Sequence, residues 1–350
     1  MADKQISRRK LMRDAVVGAA GIAVGLSAAE RAAAAKDLPG SKRKILNYNP
    51  DMEYRRLGKT NLWISAVCLG GHWKRMNVMK QDCDENRREV VGRCIEVGMN
   101  YIDITGIGEL LKHRKALGER RDKMYLALSD TSHEPRNPNF RTAGKLLEAL
   151  DATLKKTKLE YTDLWRITAY EPGGRHSFNT SCEIIAALEQ AKKQGKTRFT
   201  GIASHDRQWL KFMVEYFPQL EVVLFPYTAR TKKVPKGSIF DALENCDVGA
   251  FGIKPFASCS IFNGSSAPDD PCAKEDDRRA RLAIRYILCN PYIIPIPGLI
   301  SSHQVDNVAK AVKERRELDL AETKELKKIM DQTWARLPEN YQWLKNWEYV

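Results

Sequence analysis

Polar and ionisable side chains recur along this chain, each directly after a short apolar run: His72, Asp103, Ser129 and Asp130, Thr168, Ser204 and His205, and Lys254. Together they offer a carboxylate, imidazoles, hydroxyls and an ammonium, which suffice for general acid–base chemistry or for gripping an anionic ligand. Asp103 is the focus. The run YIDI (101–104) delivers this one carboxylate into a loop of Thr, Gly and Ile. It is either the anchor of a site or a buried charge that requires a partner. Arg166 is the candidate partner, because alternation along DLWRIT puts it on the same side as Thr168, and a guanidinium held inside a protein needs a counter-charge. Lys254 has two readings, a reactive amine or anion clamp and a salt bridge to a neighbouring acid. His205, in IASHD, reads either as an acid–base group or as a loop hydrogen-bonder. Tyr227, behind Pro226, reads as packing under the mouth in preference to a catalytic phenol.

A set of residues so far apart in sequence acts together only if the fold gathers the ends of many strands. Apolar β-prone runs occur at 64–69, 101–104, 124–128, 163–167, 199–203, 222–226, 248–253 and 292–296. Between them lie segments with apolar residues at helical spacing, such as Leu146, Leu147, Leu150 and Leu154, or Ile184, Ile185 and Leu188 with Gly195 as a helix stop. Strands apolar on both faces that alternate with amphipathic helices imply a parallel sheet covered by crossover helices. Eight such units predict an α/β fold, a (β/α)8 TIM barrel over residues 53–335. A doubly wound sheet is disfavoured because no G-x-G-x-x-G turn follows the first strand. In a barrel every strand's C-terminal end opens at one mouth, so His72, Asp103, His205 and Lys254 become the catalytic candidates, with the Pro297–Gly298 turn after the last strand. The loop 257–275 reads as a lid or a solvated connector. The tail 336–350, with four aromatics in NYQWLKNWEYV, reads as an arm on the barrel or as a stacking wall for a sugar-like or planar ligand.

The chain has 350 residues and 43% hydrophobic side chains, ample for such a core. Its formal charge of +14 is scattered in short groups interleaved with acids, which reads as a solvated surface and excludes a nucleic-acid partner. SRRKLM (7–12), the Ala/Gly-rich run 15–29 and AAAA (32–35) together predict a twin-arginine signal peptide over 1–35, followed by a linker at 36–52. The expected location is periplasmic or cell-envelope, with the twin-arginine export machinery as a partner and no integral membrane domain after cleavage. The remaining chain stays basic, 52 Lys/Arg against 41 Asp/Glu. The eight cysteines form no C-x-x-C pair, so no metal is expected.

Segments in order along the chain resemble the aldo-keto reductases: YRRLGKTNLWISAVCLGG (54–71), GMNYIDI (98–104), ERRDKMYLA (119–127), LEYTDLWRI (159–167), GKTRFTGIAS (195–204) and LAIRYILCNPYIIPIPGLISSHQVDNV (282–308). The resemblance implies carbonyl reduction of a small-molecule substrate by NADPH, with NADP as cofactor and Ser204, Pro297, Gly298, Ser301 and Asn307 bordering it. It also implies a Tyr acid, a Lys, an Asp and a His. Asp103 matches the Asp. The Tyr, Lys and His positions fall at Gly108, Ser129 and Thr168, and Ile300 and Gln304 stand where basic or polar residues often hold the adenosine phosphate. Three functions follow as expectations: an exported oxidoreductase with substituted residues, a catalytically inactive barrel that binds a small polar or sugar-like ligand, and a Lys254-dependent lyase or isomerase.

Overall fold

The computed structural model describes residues 45–71, 73, 75–169 and 176–350. The expected signal segment 1–35 and the first part of the linker lie outside them, as does His72. Residues 45–52 pack against the barrel: Asn47 Nδ2 donates to the Met99 carbonyl (3.1 Å) and Met52 is fully buried.

A hairpin of β1 (Tyr54–Arg56) and β2 (Trp63–Ser65) precedes eight parallel strands: β3 (Leu69–Gly70), β4 (Tyr101–Ile104), β5 (Tyr125–Leu128), β6 (Thr162–Thr168), β7 (Thr197–Ala203), β8 (Val222–Pro226), β9 (Gly249–Ile253) and β10 (Ile293–Ile296). Each pairs with its sequence neighbour, and a bridge between Gly70 and Gly298, with Gly70 N donating to the Pro297 carbonyl at 2.8 Å, closes the seam. A Cβ on Gly70 would lie 2.8 Å from that carbonyl oxygen, so only glycine permits the closure. The first strand is shorter than the run 64–69 predicts. The hairpin takes residues 63–66 instead: Ser65 pairs with Tyr54, and Ala66 N donates to the Glu53 carbonyl (2.7 Å).

The helices follow from periodicity and caps. They are α1 (Cys83–Glu96), α2 (Ile107–Leu117), α3 (Ala143–Thr157), α4 (Phe178–Lys193), α5 (Arg207–Tyr216), α6 (Ile239–Cys246), α7 (Ala273–Leu288), α8 (Ser302–Lys313) and α9 (Leu320–Ala335). Helix α3 buries Leu146, Leu150 and Leu154, one stripe at i, i+4 and i+8, and Thr142 caps it. Asp206 and Ser301 cap α5 and α8 through their side-chain oxygens.

Alternation divides the strands into two cores. Tyr101, Tyr125, Ala127, Leu164, Leu224, Phe251 and Ile294 fill the barrel interior, where Leu57, Leu62 and Ile64 of the hairpin join them. Ile102, Ile104, Leu126, Leu128, Trp165 and Ile167 face the helices. The same parity aims Asp103, Ser129, Arg166 and Thr168 inward at the C-terminal end, one layer above the apolar plug.

Candidate active site

Asp103 and Arg166 meet at the floor of the mouth. Arg166 Nε and Nη2 donate to Asp103 Oδ1 and Oδ2 at 2.8 and 2.7 Å, a bidentate pair whose side chains are 3% and 5% exposed. Arg166 Nη2 also donates to the Ile104 carbonyl (3.2 Å) and Nη1 to Thr168 Oγ1 (2.8 Å). Burial alone would lower the Arg166 pKa, but the charge and hydrogen bonds of Asp103 raise it above its ordinary value, so the guanidinium stays charged.

The network continues through two hydroxyls to a second carboxylate. Thr168 Oγ1 lies 2.9 Å from Ser129 Oγ, which donates to Glu134 Oε2 at 2.7 Å. Glu134 accepts further from the backbone N–H of Thr168 (2.9 Å) and of Asp130 (2.8 Å). Burial pushes its carboxyl up to about 7, although Ser129, Arg166 and the two backbone donors pull it down. Glu134 is thus a group that changes protonation near neutral pH in the interior of the protein. The sequence reading missed it. The stretch TSHEPRNPNF carries no periodicity, and the only available signal was an acid a few residues beyond a strand end.

Across the mouth stand His205 and Lys254. The His205 ring stacks on Trp343, centroids 4.1 Å apart, and burial, then Lys254 and Arg136, push its pKa down to about 2. It is a neutral imidazole at any physiological pH. Lys254 has a left-handed backbone (φ 58°), unusual for a residue with a side chain, which ends β9 and sets its ammonium 5.7 and 5.9 Å from the rings of Trp343 and Tyr341. The tail lies on the barrel as an arm: Trp347 stacks on Phe225 and donates to the His205 carbonyl (2.9 Å), while Asn340, Tyr341 and Trp343 border the cavity. Tyr227 packs beneath the mouth, as expected, against Phe240. Burial raises its phenol to about 12.

One cavity of about 1080 Å³ is bordered by Asp103, Arg166, Thr168, His205 and Lys254 at one end and by Gly298, Ser301, Gln304 and Asn307 at the other. Thr105, Thr131, Arg136 and Arg75, none singled out from sequence, also line it. Arg75 ties the loop after β9 across the opening, donating to the Gly264 carbonyl (2.6 Å) and Ser266 Oγ (2.9 Å). Of the residues expected at a dinucleotide, Ser204, Gly298, Ser301 and Asn307 border this cavity. Pro297 is not among the lining residues, and its carbonyl serves the barrel seam. The Asn307 carboxamide is engaged by Arg281 Nη1 (2.6 Å) and donates to the Asp277 carbonyl (3.0 Å).

A dinucleotide fits this channel. The first turn of α8 presents backbone N–H groups and the positive end of its dipole, with Ser301 beside it and Lys274 on the same wall. Ile300 and Gln304 carry no charge; the Gln304 carbonyl oxygen accepts from Ile300 N (2.9 Å). Among the described residues lining the cavity the one tyrosine is Tyr341, and the cation beside Asp103 is Arg166. A phenol does lie near Asp103: Tyr101, two residues earlier on β4, points into the barrel and stacks on Phe251 at 4.4 Å. It is 1% exposed and its hydroxyl has no hydrogen-bond partner. Burial, then the charge of Asp103, raises it well above 10, and Tyr101 is not among the residues that line the cavity. Among the described residues no group of three or more His, Cys, Asp or Glu is arranged to hold a metal ion.

Comparison with known proteins agrees with this architecture. The chain is 25% identical over 255 residues to the L-glyceraldehyde 3-phosphate reductase of Escherichia coli O157:H7, covering 66% of this chain and 69% of that protein. It is 23% identical over 292 residues to the L-galactose dehydrogenase of Arabidopsis thaliana, covering 77% and 91%. Among solved structures, an aldo-keto reductase of Klebsiella pneumoniae in complex with NADPH superimposes with a TM-score of 0.61 at 16% identity, covering 79% of this chain and 95% of that one. The holo form of an aldo-keto reductase from Bacillus halodurans gives 0.60 at 20% identity, covering 83% and 99%. The sequence pattern of the Aldo/keto reductase family matches residues 67–331, and with the closed barrel and its mouth this shows that the chain belongs to that family of oxidoreductases.

Proposed function

We propose that this protein is an exported, NADP(H)-dependent oxidoreductase that interconverts a small polar carbonyl compound and its alcohol without the family's usual Tyr and Lys. The observation that supports this reading is one continuous cavity, which joins the Asp103–Arg166 floor to the start of α8 and has room for a dinucleotide and a small substrate. When bound, the reduced nicotinamide supplies the hydride. Ser301, the first turn of α8 and the Gly298 backbone hold the pyrophosphate, and Lys274 attracts the added phosphate. Arg166 and Thr168 face the substrate oxygen as hydrogen-bond donors, while Lys254, neutral His205 and Trp343 wall the rest of the substrate. The names of the relatives, an aldose phosphate reductase and a sugar dehydrogenase, support a polar substrate.

The test is a titration of the purified protein, residues 36–350, with NADPH, followed by nicotinamide fluorescence. A saturable change is expected, and its absence up to about millimolar cofactor, the weak-binding limit, overturns the reading. A second reading, a barrel that binds its ligand without turnover, is favoured by the burial of both Asp103 and Tyr101. Saturable NADPH binding with no oxidation by any of a panel of small aldehydes supports it. Export is tested by changing Arg8 and Arg9 to Lys in the full chain. The protein is expected to remain in the cytoplasmic fraction, and undiminished recovery from the envelope fraction refutes the leader assignment.

A further inference from the structure

We propose that Glu134, Ser129 and Thr168 form a proton relay that opens at the cavity floor and supplies the proton that must accompany hydride delivery to a carbonyl. The proposal rests on the oxidoreductase reading above and names the source of a proton that the family's phenol would otherwise give. Its geometry is a continuous run of short contacts: Glu134 Oε2 to Ser129 Oγ at 2.7 Å and Ser129 Oγ to Thr168 Oγ1 at 2.9 Å, with Thr168 on the cavity wall. Glu134 is 2% exposed and Ser129 fully buried, so solvent does not short-circuit the run.

Hydrogen-bond valence sets its direction. A hydroxyl has one donor and two acceptor sites. Arg166 Nη1 donates to Thr168 Oγ1 at 2.8 Å, fixing one acceptor site. With Glu134 protonated, its O–H donates to Ser129, Ser129 donates to the second acceptor site of Thr168, and the Thr168 proton is left to point into the cavity. With Glu134 ionised the run reverses, and Thr168 becomes an acceptor toward the cavity. One arrangement serves reduction and the other serves oxidation.

The charges around Glu134 permit this switch. Arg166 faces it from β6 but is itself matched by Asp103. On its own loop, Asp130 and His133 pair with each other at 2.7 Å, and Arg136 lies half-buried on the cavity wall. Burial then dominates, and the carboxyl rises to about 7, where a general acid works best at neutral pH.

The step balances. Hydride from the reduced nicotinamide forms the new C–H bond as the carbonyl π pair moves onto oxygen. That oxygen takes the Thr168 proton, Thr168 Oγ1 takes one from Ser129, and Ser129 takes one from Glu134, which is left a carboxylate. After the alcohol leaves, a proton from water in the open cavity enters by Thr168 and resets the run. Thr168 is the group that touches substrate; Ser129 and Glu134 act through it.

The test uses two readouts on the protein, residues 36–350, with DL-glyceraldehyde as the probe substrate. Infrared difference spectra of the protein without cofactor, recorded from pH 5 to 9, are expected to show a protonated carboxyl band that titrates near neutrality and disappears in Glu134→Gln. No such band overturns the relay whatever the kinetics. In single-turnover reduction with saturating NADPH, the rate is expected to fall above pH 7. Glu134→Gln should lose that limb and about 10²-fold in rate, with NADPH binding unchanged. Thr168→Val should lose a similar factor and Thr168→Ser recover most of it, which keeps the test decisive if Glu134→Gln folds poorly. A Glu134→Gln or Thr168→Val protein with the wild-type rate and pH limb overturns the relay alone. A wild-type protein that fails to oxidise NADPH overturns the relay and the oxidoreductase reading together.

Discussion

Replacing Asp103 by Ala strands a charge. Arg166 would keep only neutral acceptors, Thr168 Oγ1 and the Ile104 carbonyl, in a place where its side chain is 3% exposed. Removing one partner of a buried pair costs about 3–5 kcal/mol, because the surviving ion stays desolvated without its counter-charge. For a unit of roughly 300 residues the unfolding entropy is about 0.6 kcal/mol per kelvin, so the melting temperature should fall by about 5–8 °C. The assay is calorimetric or circular-dichroism melting at pH 7. Asp103→Asn should lose a comparable amount, since the carboxamide keeps the shape but not the charge. Asp103→Leu combined with Arg166→Met should recover most of the loss, because two well-packed apolar side chains need no mutual compensation. An Asp103→Ala protein that melts within about 1 °C of wild type would refute the argument that this pair is held dry and mutually dependent.

Two other perturbations probe the groups around the site. His113 on α2 is fully buried against Trp73, and burial, then Arg87, lowers its pKa to about 3. A depressed folded value gives stability that is present above about pH 6.5 and lost as pH falls toward 3, by up to about 1.4 kcal/mol per pH unit. His113→Phe should therefore shift acid unfolding to lower pH, and an unchanged acid midpoint by tryptophan fluorescence would refute it. At Lys254, the faces of Trp343 and Tyr341 attract a cation, which suits an anion clamp better than a Schiff-base amine. Borohydride treatment in the presence of DL-glyceraldehyde is expected to leave Lys254 unlabelled by peptide mass spectrometry, and a label there would revive the lyase reading.

What the amino-acid order determined alone was the scaffold and the phase of its strands. Runs such as YIDI and DLWRI, apolar on both faces and separated by amphipathic helices, can be buried only in a parallel sheet, and their period of two puts Asp103 and Arg166 on the inward face. The pairing of those two residues was legible for that reason, as was the packing role of Tyr227. The remainder depended on distance through space. Glu134 follows β5 in a loop without periodicity, and it becomes a neutral-range acid only because the folded protein excludes water from it, against the opposing pull of the Thr168 and Asp130 N–H donors. His205 reads in sequence as a polar strand-end residue, yet the tail folds back from more than a hundred residues away to stack Trp343 on it and keep it neutral. Tyr101 looked like an ordinary strand aromatic, and only the closed barrel decided that its hydroxyl would sit one layer below the cavity. Local pattern sets which way a side chain points, whereas its protonation and partners come from neighbours that only tertiary closure supplies.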